Sequence, residues 1–396
     1  MTARGARPWW RSWRALMIPA LIALAAIIFG ISLLPAAPVA PNTAHIPDTT
    51  VGKLVRQIEM IDYSNAQVGW AVVPTRPYWR VVRTSDGGSR WRDVTPPGNA
   101  SNGGLALTVT GSSTAAVVFL AYQYIRDSTF AYTTDGGAEW TAGILPNSAS
   151  RGPDPIYVLN AHQMFAVLGN GTVVSSGDGG SSWTDVTLAP LGSGGCSPTS
   201  VWFTSISSGW ITGTCTGVAA LWHTSDSGLS WQPVVVSSAY ASAVSVSVRP
   251  PQATPSGGAF TTAVGTGGST ESLRVFVSSA SSWTSAPAVA LPAGRILVSF
   301  AGPFDGWVLD SPRTAGALTL AYYTSNEGTN WSLRATPIPA GQLTALDLLS
   351  PESVVALAQA GRQRDLFSSA DAGVNWSRAQ MVIFNGPQPR VNGISG

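Results

Sequence analysis

The chain has 396 residues, 44% of them hydrophobic and only 11% charged, so it can bury a large core. The four arginines before residue 15 account for its formal charge of +2, because the rest of the chain carries 18 basic and 20 acidic residues. That remainder lacks the basic surface that nucleic acids require, which excludes a nucleic-acid partner.

The N-terminal residues differ in composition from the rest of the chain. Residues 1–14 form a basic tail, and residues 15–34 run for twenty positions without a charge, enough to span a bilayer core of about 30 Å. This pattern predicts a single-pass transmembrane helix in the cell membrane, with the tail in the cytoplasm and the remainder outside it. The alternative is a cleaved signal peptide, which makes the protein secreted. Residues 35–52, rich in Pro, Ala and Thr, are expected to form a stalk.

An eight-residue pattern, [Ser/Thr]-x-Asp-x-Gly-x-x-Trp, recurs through residues 53–385, with drift in the later copies. Its aspartate (once asparagine) and tryptophan positions are Asp86, Trp91, Asp135, Trp140, Asp178, Trp183, Asp226, Trp231, Trp283, Asn326, Trp331, Asp371 and Trp376. The seven tryptophans are 49, 43, 48, 52, 48 and 45 residues apart. Such a period indicates a repeated unit that stacks on its neighbours. Seven units of four short strands predict an all-β, seven-bladed β-propeller. A solenoid is disfavoured because no polar end caps are evident.

The residue types of the pattern suit a hairpin turn. Glycine tolerates positive φ, aspartate and Ser/Thr accept backbone N–H bonds within the turn, and tryptophan begins the next strand with a large buried surface. Each turn offers a single carboxylate, so the aspartates are interpreted as structural. The scattered His and Cys lack the spacing of metal ligands, so neither a metal nor a cofactor is expected.

The pattern is similar to the Asp-box (BNR) repeat of sialidase-like propellers. Three copies also follow a strand that opens with Gly-Trp, at Gly69-Trp70, Gly209-Trp210 and Gly306-Trp307. A Gly-Trp strand followed by an Asp box resembles the photosystem II stability and assembly factor family, over about residues 53–385. The resemblance implies a seven-bladed propeller that assists the assembly or stability of a membrane protein complex.

The two cysteines are expected to form a disulfide. Antiparallel pairing about a turn near Ser207 places Cys215 opposite Ser200, with Cys196 a few residues beyond. An oxidising compartment favours the bonded state, and two free buried thiols are the alternative. Beyond the propeller, residues 386–396 are expected to form a loose C-terminal tail.

One half of one face is expected to bind a protein. The connections between the second and third strands of units 6, 7, 1 and 2 are rich in arginine and aromatic residues, which are enriched at binding hot spots. We call this set the arginine crescent: Arg76, Tyr78, Trp79, Arg80, Tyr122, Tyr124, Arg126, Arg313, Arg362 and Arg364.

A sialidase-like glycoside hydrolase, or a glycan-binding propeller, is the alternative function. Glu59 and Asp62 are the best candidates for the paired carboxylates that glycoside hydrolysis needs. The Arg-Ile-Pro signature of sialidases is missing, because the nearest string is His45-Ile46-Pro47. A non-enzymatic role is therefore favoured. A sensing receptor is disfavoured because the cytoplasmic tail is too short for a signalling domain.

Overall fold

The computed structural model describes residues 53–55, 57–75, 78–97, 105–119, 128–146, 156–188, 195–215, 218–234, 245–248, 252–253, 259–267, 270–279, 282–302, 304–314, 316–340, 343–360, 363–384 and 389–393. The expected basic tail, membrane segment and stalk, which together span residues 1–52, lie outside these ranges. Within the described ranges, no helix has the length and apolar character needed to cross a membrane.

The chain folds into seven antiparallel sheets arranged as the blades of a propeller, as the repeat predicts. Strand β1 (Lys53–Val55) precedes the first blade, which consists of β2 (Met60–Tyr63), β3 (Gly69–Thr75), β4 (Tyr78–Thr84) and β5 (Trp91–Asp93). Strand β1 is separate from the inner strand of this blade, which begins at Met60.

The next three blades repeat this arrangement. Blade 2 consists of β6 (Leu105–Val109), β7 (Ala115–Phe119), β8 (Thr129–Thr133) and β9 (Glu139–Ile144). Blade 3 consists of β10 (Ile156–Val158), β11 (Met164–Val167), β12 (Val173–Ser176) and β13 (Thr184–Asp185). Blade 4 consists of β14 (Cys196–Phe203), β15 (Gly209–Cys215), β16 (Val218–Thr224) and β17 (Gln232–Val234).

Blade 5 departs from the pattern because its first and fourth strands are interrupted. It consists of β18 (Ser245–Val248), β19 (Gln252–Ala253), β20 (Ala259–Gly267), β21 (Thr270–Ser279), β22 (Ser282–Ser285) and β23 (Val289–Pro292). Both β18 and β19 pair with β20, and both β22 and β23 pair with β21. Ser279 pairs directly with Ser282, so a short hairpin replaces the Asp box that this unit lost.

Two regular blades and two further strands complete the chain. Blade 6 consists of β24 (Gly294–Phe300), β25 (Gly306–Pro312), β26 (Leu320–Thr324) and β27 (Ser332–Arg334). Blade 7 consists of β28 (Leu343–Leu348), β29 (Val354–Ala360), β30 (Gln363–Ser369) and β31 (Ser377–Ala379). The last two strands are β32 (Met381–Phe384) and β33 (Arg390–Gly393).

Glycine at the start of the second strand has a packing role. A Cβ on Gly69 would lie 2.6 Å from the ring of Tyr63, and a Cβ on Gly209 would lie 2.6 Å from the ring of Phe203. Contacts this short are not tolerated, so only glycine lets the aromatic ring of the inner strand lie across the second strand. The Gly of the Gly-Trp motif therefore follows from close packing inside one blade.

The tryptophans of the two motifs meet between blades. In three interfaces the Gly-Trp indole of one blade packs edge-to-face on the Asp-box indole of the next, a favoured aromatic geometry. The ring centroids are 6.4 Å apart for Trp70 and Trp140, 5.6 Å for Trp210 and Trp283, and 6.1 Å for Trp307 and Trp376. The two tryptophans of the repeat thus pack neighbouring blades together.

The ring closes between blade 7 and blade 1, an interface that we call the closing seam. One hydrophobic cluster spans it, with Val355 and Leu357 of blade 7 beside Ile61, Ala71 and Trp91 of blade 1. Such a cluster requires that the two blades face each other.

The first described strand and the last two lie along the outer edges of the first two blades. Strand β32 pairs in parallel with β5, and β1 pairs antiparallel with β32. Strand β33 pairs in parallel with β9 at the outer edge of blade 2. We call β32 and β33 the C-terminal strap. The expected loose tail therefore contains an ordered strand, because extended backbone can pair with an open sheet edge.

Candidate functional site

The Asp-box carboxylates accept hydrogen bonds within their own turns. In the first box, the Thr84 hydroxyl donates to Asp86 Oδ1 (2.8 Å), and the backbone N–H of Arg90 donates to the same oxygen (2.9 Å). Asn326 keeps this arrangement with Thr324. Hydrogen bonds, above all from the side chains of Ser182 and Ser230, lower the pKa of Asp178 and of Asp226 to about 2. These acids are therefore turn-stabilising groups.

Cys196 and Cys215 are joined by a disulfide. They lie directly opposite each other on β14 and β15. The expected register was wrong, because Ser200 pairs with Thr212 rather than with Cys215. A bulge between Pro198 and Ser200 then shifts the pairing by one residue, which brings Cys196 opposite its partner.

The described members of the arginine crescent differ in how freely they can bind a partner. Arg313 is exposed at the end of β25. Arg80 is exposed and forms an ion pair with Asp93 (2.8 Å). Trp79 is partly buried against the core between blades 1 and 2. Arg364 is bound to Glu59 through both its side chain (2.8 Å) and its backbone carbonyl.

The remaining members comprise one residue at the start of a strand and five outside the described residues. Tyr78 begins β4, which places its backbone at the same end of blade 1. The other five lie outside the described residues: Arg76, Tyr122, Tyr124, Arg126 and Arg362. Register places the described members at one end of their blades, since Thr75 pairs with Tyr78 there whereas Gly69 pairs with Thr84 at the Asp-box end.

A cavity of about 250 Å³ lies beside Arg364 at the closing seam. Its lining includes the apolar residues Leu54, Ile58 and Met381. Its charged side chains are Arg364 and the ion pair of Arg378 with Asp365 (2.8 Å). We call this the seam cavity. The lining of the seam cavity therefore combines apolar side chains with charged ones.

Glu59 and Asp62, the expected carboxylate pair, have different partners. Glu59 forms the ion pair with Arg364. Asp62 accepts the backbone N–H of Val109, and Asp347 of blade 7 accepts the backbone N–H of Tyr63 (3.2 Å). Burial raises the pKa of Asp62 to about 6, while burial and then the charge of Asp62 raise the pKa of Asp347. The close acid pair is therefore Asp62 with Asp347.

A second acid pair lies between blades 5 and 6. Asp310 is fully buried, and neither of its carboxylate oxygens has a hydrogen-bond partner. Burial, and next the charge of the buried Glu271, raise the pKa of Asp310 to about 7. Sequence analysis missed both Asp347 and Asp310. Their only signal was an acid within an otherwise apolar strand, as in Leu346-Asp347-Leu348.

Over the ranges that the structure covers, no cluster of three or more His, Cys, Asp or Glu residues is arranged to hold a metal ion. Among the described residues, Glu59 is held in an ion pair with Arg364, and Asp62 and Asp347 each accept a backbone N–H.

The comparisons with known proteins concern the fold. No protein-family model matches the chain, and no curated protein sequence matches it. A solved structure of YCF48 bound to D1 peptide is 16% identical, with 82% of this chain and 98% of that chain covered and a TM-score of 0.51. The GH74 xyloglucanase of Xanthomonas campestris is 14% identical, with 87% and 55% covered and a TM-score of 0.57.

A prolyl endopeptidase is also similar, at 9% identity and a TM-score of 0.53, with 83% of this chain and 50% of that chain covered. At such identities the likeness establishes the fold alone. The chain is therefore a seven-bladed β-propeller that resembles the photosystem II stability and assembly factor propellers.

Proposed function

We propose that this chain is a membrane-tethered, extracytoplasmic propeller that binds a protein partner and assists the assembly or stability of a membrane protein complex. The observation that carries this proposal is the position of Arg80, Arg313 and Arg364 at one end of three consecutive blades, where Arg364 also lines the seam cavity. Arginine is enriched among the residues that dominate binding energy in protein interfaces.

A propeller of similar fold supports a protein as the partner. The solved YCF48 structure holds D1 peptide, so that protein binds a peptide on this architecture. Sialidase-like binding needs free arginines for the substrate carboxylate, whereas Arg364 and Arg378 are each paired with a carboxylate. A peptide surface with mixed charge and an apolar side chain is the ligand best matched to such a site.

Two features support the tethered, extracytoplasmic location. Residues 15–34 are uncharged over a membrane-spanning length and follow four arginines. The disulfide between Cys196 and Cys215 accords with an oxidising compartment outside the cytoplasm.

Charge reversal on the crescent tests the partner. We expect the double variant Arg80→Glu, Arg313→Glu to recover at least about tenfold less cross-linked partner from native membranes, because two interface charges change sign. Arg364 is left intact because it holds Glu59. The matched control is Arg90→Glu in the first Asp box, where the second box has Glu139. Undiminished recovery of the same partner by the crescent variant would contradict the proposal.

A glycoside hydrolase is the second candidate, favoured by the fold likeness to the GH74 xyloglucanase. In this reading Asp62 and Asp347 would supply the acid and the base. Hydrolysis of xyloglucan or of a fluorogenic sialoside by the wild type, abolished by Asp62→Asn, would establish it. No turnover by the folded wild-type protein would exclude activity on these substrates.

A further inference from the structure

The inner strands of the propeller contact one another through a repeated side-chain bond. Its acceptor is the penultimate residue of one inner strand, and its donor is the backbone N–H of the last residue of the next. Ser299 accepts from Leu348 (3.0 Å) between blades 6 and 7. Asp347 accepts from Tyr63 (3.2 Å) across the closing seam. The third bond, from Val109 to Asp62, joins blades 1 and 2.

Among the described inner strands whose ends can be compared, carboxylates occupy this position only on the two sides of the closing seam. The other described inner strands whose ends match this position have Thr108, Tyr157, Trp202 and Ser299 there. Tyr157 forms a related bond, because its hydroxyl donates to the carbonyl of Phe203 in the next blade (3.0 Å). Blades 7 and 1 therefore place two like charges at the closing seam. The neutral residues at the equivalent position of the other blades cause no such repulsion.

Two neighbouring half-buried carboxylates cannot both ionise without a large cost, so the favoured state has one proton between them. In that state the ionised carboxylate remains a strong acceptor for a backbone N–H. The raised pKa values of Asp62 and Asp347 agree with this arrangement.

The charges around the pair offer no described counter-ion to it. Glu59, just before β2, is bound to Arg364. On the neighbouring β24, Arg295 donates to the carbonyl of Thr344 (3.4 Å). Asp86 is a further acid near Tyr63. The pKa of the Tyr63 phenol is raised by burial and then by the charges of Asp347 and Asp86. Strands β3, β6 and β29 carry no charged residue. The pair must therefore accommodate its second charge by itself.

We propose that Asp347 and Asp62 form a proton-dependent clasp, in which one shared proton holds the ring closed between blade 7 and blade 1 and its loss loosens the closing seam. This clasp is independent of the proposed function. It makes the propeller tightest in mildly acidic surroundings and easier to open in neutral or alkaline ones.

The sign follows from the direction of the shifts. An acid with a raised pKa in the folded state binds more protons folded than unfolded, so its stabilising effect is complete below the unfolded value near 4 and is lost as pH rises through the folded value. For the pair, that loss begins near pH 4 and passes through about 6, the pKa of Asp62.

Hydrogen exchange of the full chain tests the clasp. Exchange rates of the Tyr63 and Val109 amides are measured from pH 5 to pH 8 and divided by those of the unfolded chain at each pH. We expect the opening of the Tyr63 amide to rise about tenfold across this range in the wild type, a conservative figure for a shift of about two pH units. Asp347→Asn keeps the acceptor oxygen but removes one of the two charges, so the rise should become clearly smaller, and only the titration of the buried Asp62 should remain.

Ser299→Ala is the matched control, because it removes the equivalent bond at the neighbouring interface without removing a charge. Its Leu348 amide should open more readily, while the Tyr63 amide keeps the pH dependence of the wild type. If Asp347→Asn does not fold, Asp62→Asn provides the same test and leaves the Asp347 bond to Tyr63 in place. A foldable asparagine variant that retains the full rise, or a Tyr63 amide equally protected at pH 5 and pH 8, would overturn the proposal.

Discussion

Asp310 is the side chain whose surroundings are least suited to a charge. It is fully buried between blades 5 and 6, and both its oxygens lack hydrogen bonds. Burial, and next the negative charge of Glu271, raise its pKa. An unpaired buried charge costs several kcal/mol, so the group takes up a proton instead. With a pKa of about 7, Asp310 ionises as pH rises through neutrality, and that ionisation weakens the fold.

We therefore expect Asp310→Asn to stabilise the protein at pH 8 by about 2–4 kcal/mol, because the amide mimics the protonated acid without its titration. The gain should shrink as the pH falls and approach zero below about pH 3, where Asp310 is protonated in both the folded and the unfolded chain. Thermal unfolding at a series of pH values measures it. The exposed Asp185→Asn serves as control and should change little. A variant that is less stable than the wild type at pH 8 would refute this account.

The hairpin turns of the Asp boxes contain one position that strains the backbone in some copies. This position lies between the aspartate and the glycine of the Asp-box pattern. Gly87 and Gly179 adopt φ of 70° and 73° there. Ser227 and Glu327 adopt φ of 62° and 59° at the same position. A side chain in this left-handed region costs roughly 1–2 kcal/mol, whereas glycine takes it up freely.

Ser227→Gly should therefore stabilise the protein by about 1 kcal/mol, because it relieves this strain and loses no described side-chain hydrogen bond. The midpoint of chemical unfolding measures the change. Ser225→Gly, in the same box but outside the left-handed region, should give no gain. The reverse substitution, Gly87→Ser, should destabilise. Equal effects of the two serine substitutions would show that turn strain is not the cause.

How far the sequence predicts each element depends on whether the element's cause is local. The Asp-box hairpins follow from residues within eight positions, so the pattern alone predicts them. The pairing of Cys196 with Cys215 depends on a bulge near Thr199, which no local pattern announces. The Asp62–Asp347 pair joins residues at opposite ends of the repeat array, so it becomes visible only once the ring is closed. The binding role of the arginine crescent stays a prediction.

At the scale of the whole molecule, the ring is held at two radii. Near the axis, the inner strands are joined by the bonds at Ser299, Asp347 and Asp62. At the periphery, the C-terminal strap crosses from blade 7 to blades 1 and 2, and its Met381 and Ile383 are buried in the seam cluster. Burying an apolar side chain of this size stabilises by about 1.5–3 kcal/mol.

Ending the chain after Gln380 removes the strap and leaves β1 without its partner. We expect this truncation to cost at least about 3 kcal/mol, from the two buried side chains alone, and to lower the unfolding temperature. Ending the chain after Gly393 removes only three residues beyond the strap and should have no effect. Ending it after Phe384 keeps β32 and should fall between the two. Identical unfolding temperatures for all three would show that the strap contributes nothing.

The strap also sets an order of events during biosynthesis. Blades 1 and 2 leave the ribosome early, yet the strands that cover their outer edges, β32 and β33, are translated only after all seven blades. Until these two strands emerge, the nascent polypeptide therefore exposes two unpaired edges, which are sites where other chains can add. A message truncated shortly before codon 381 would release a product that has all seven blades but is prone to aggregate.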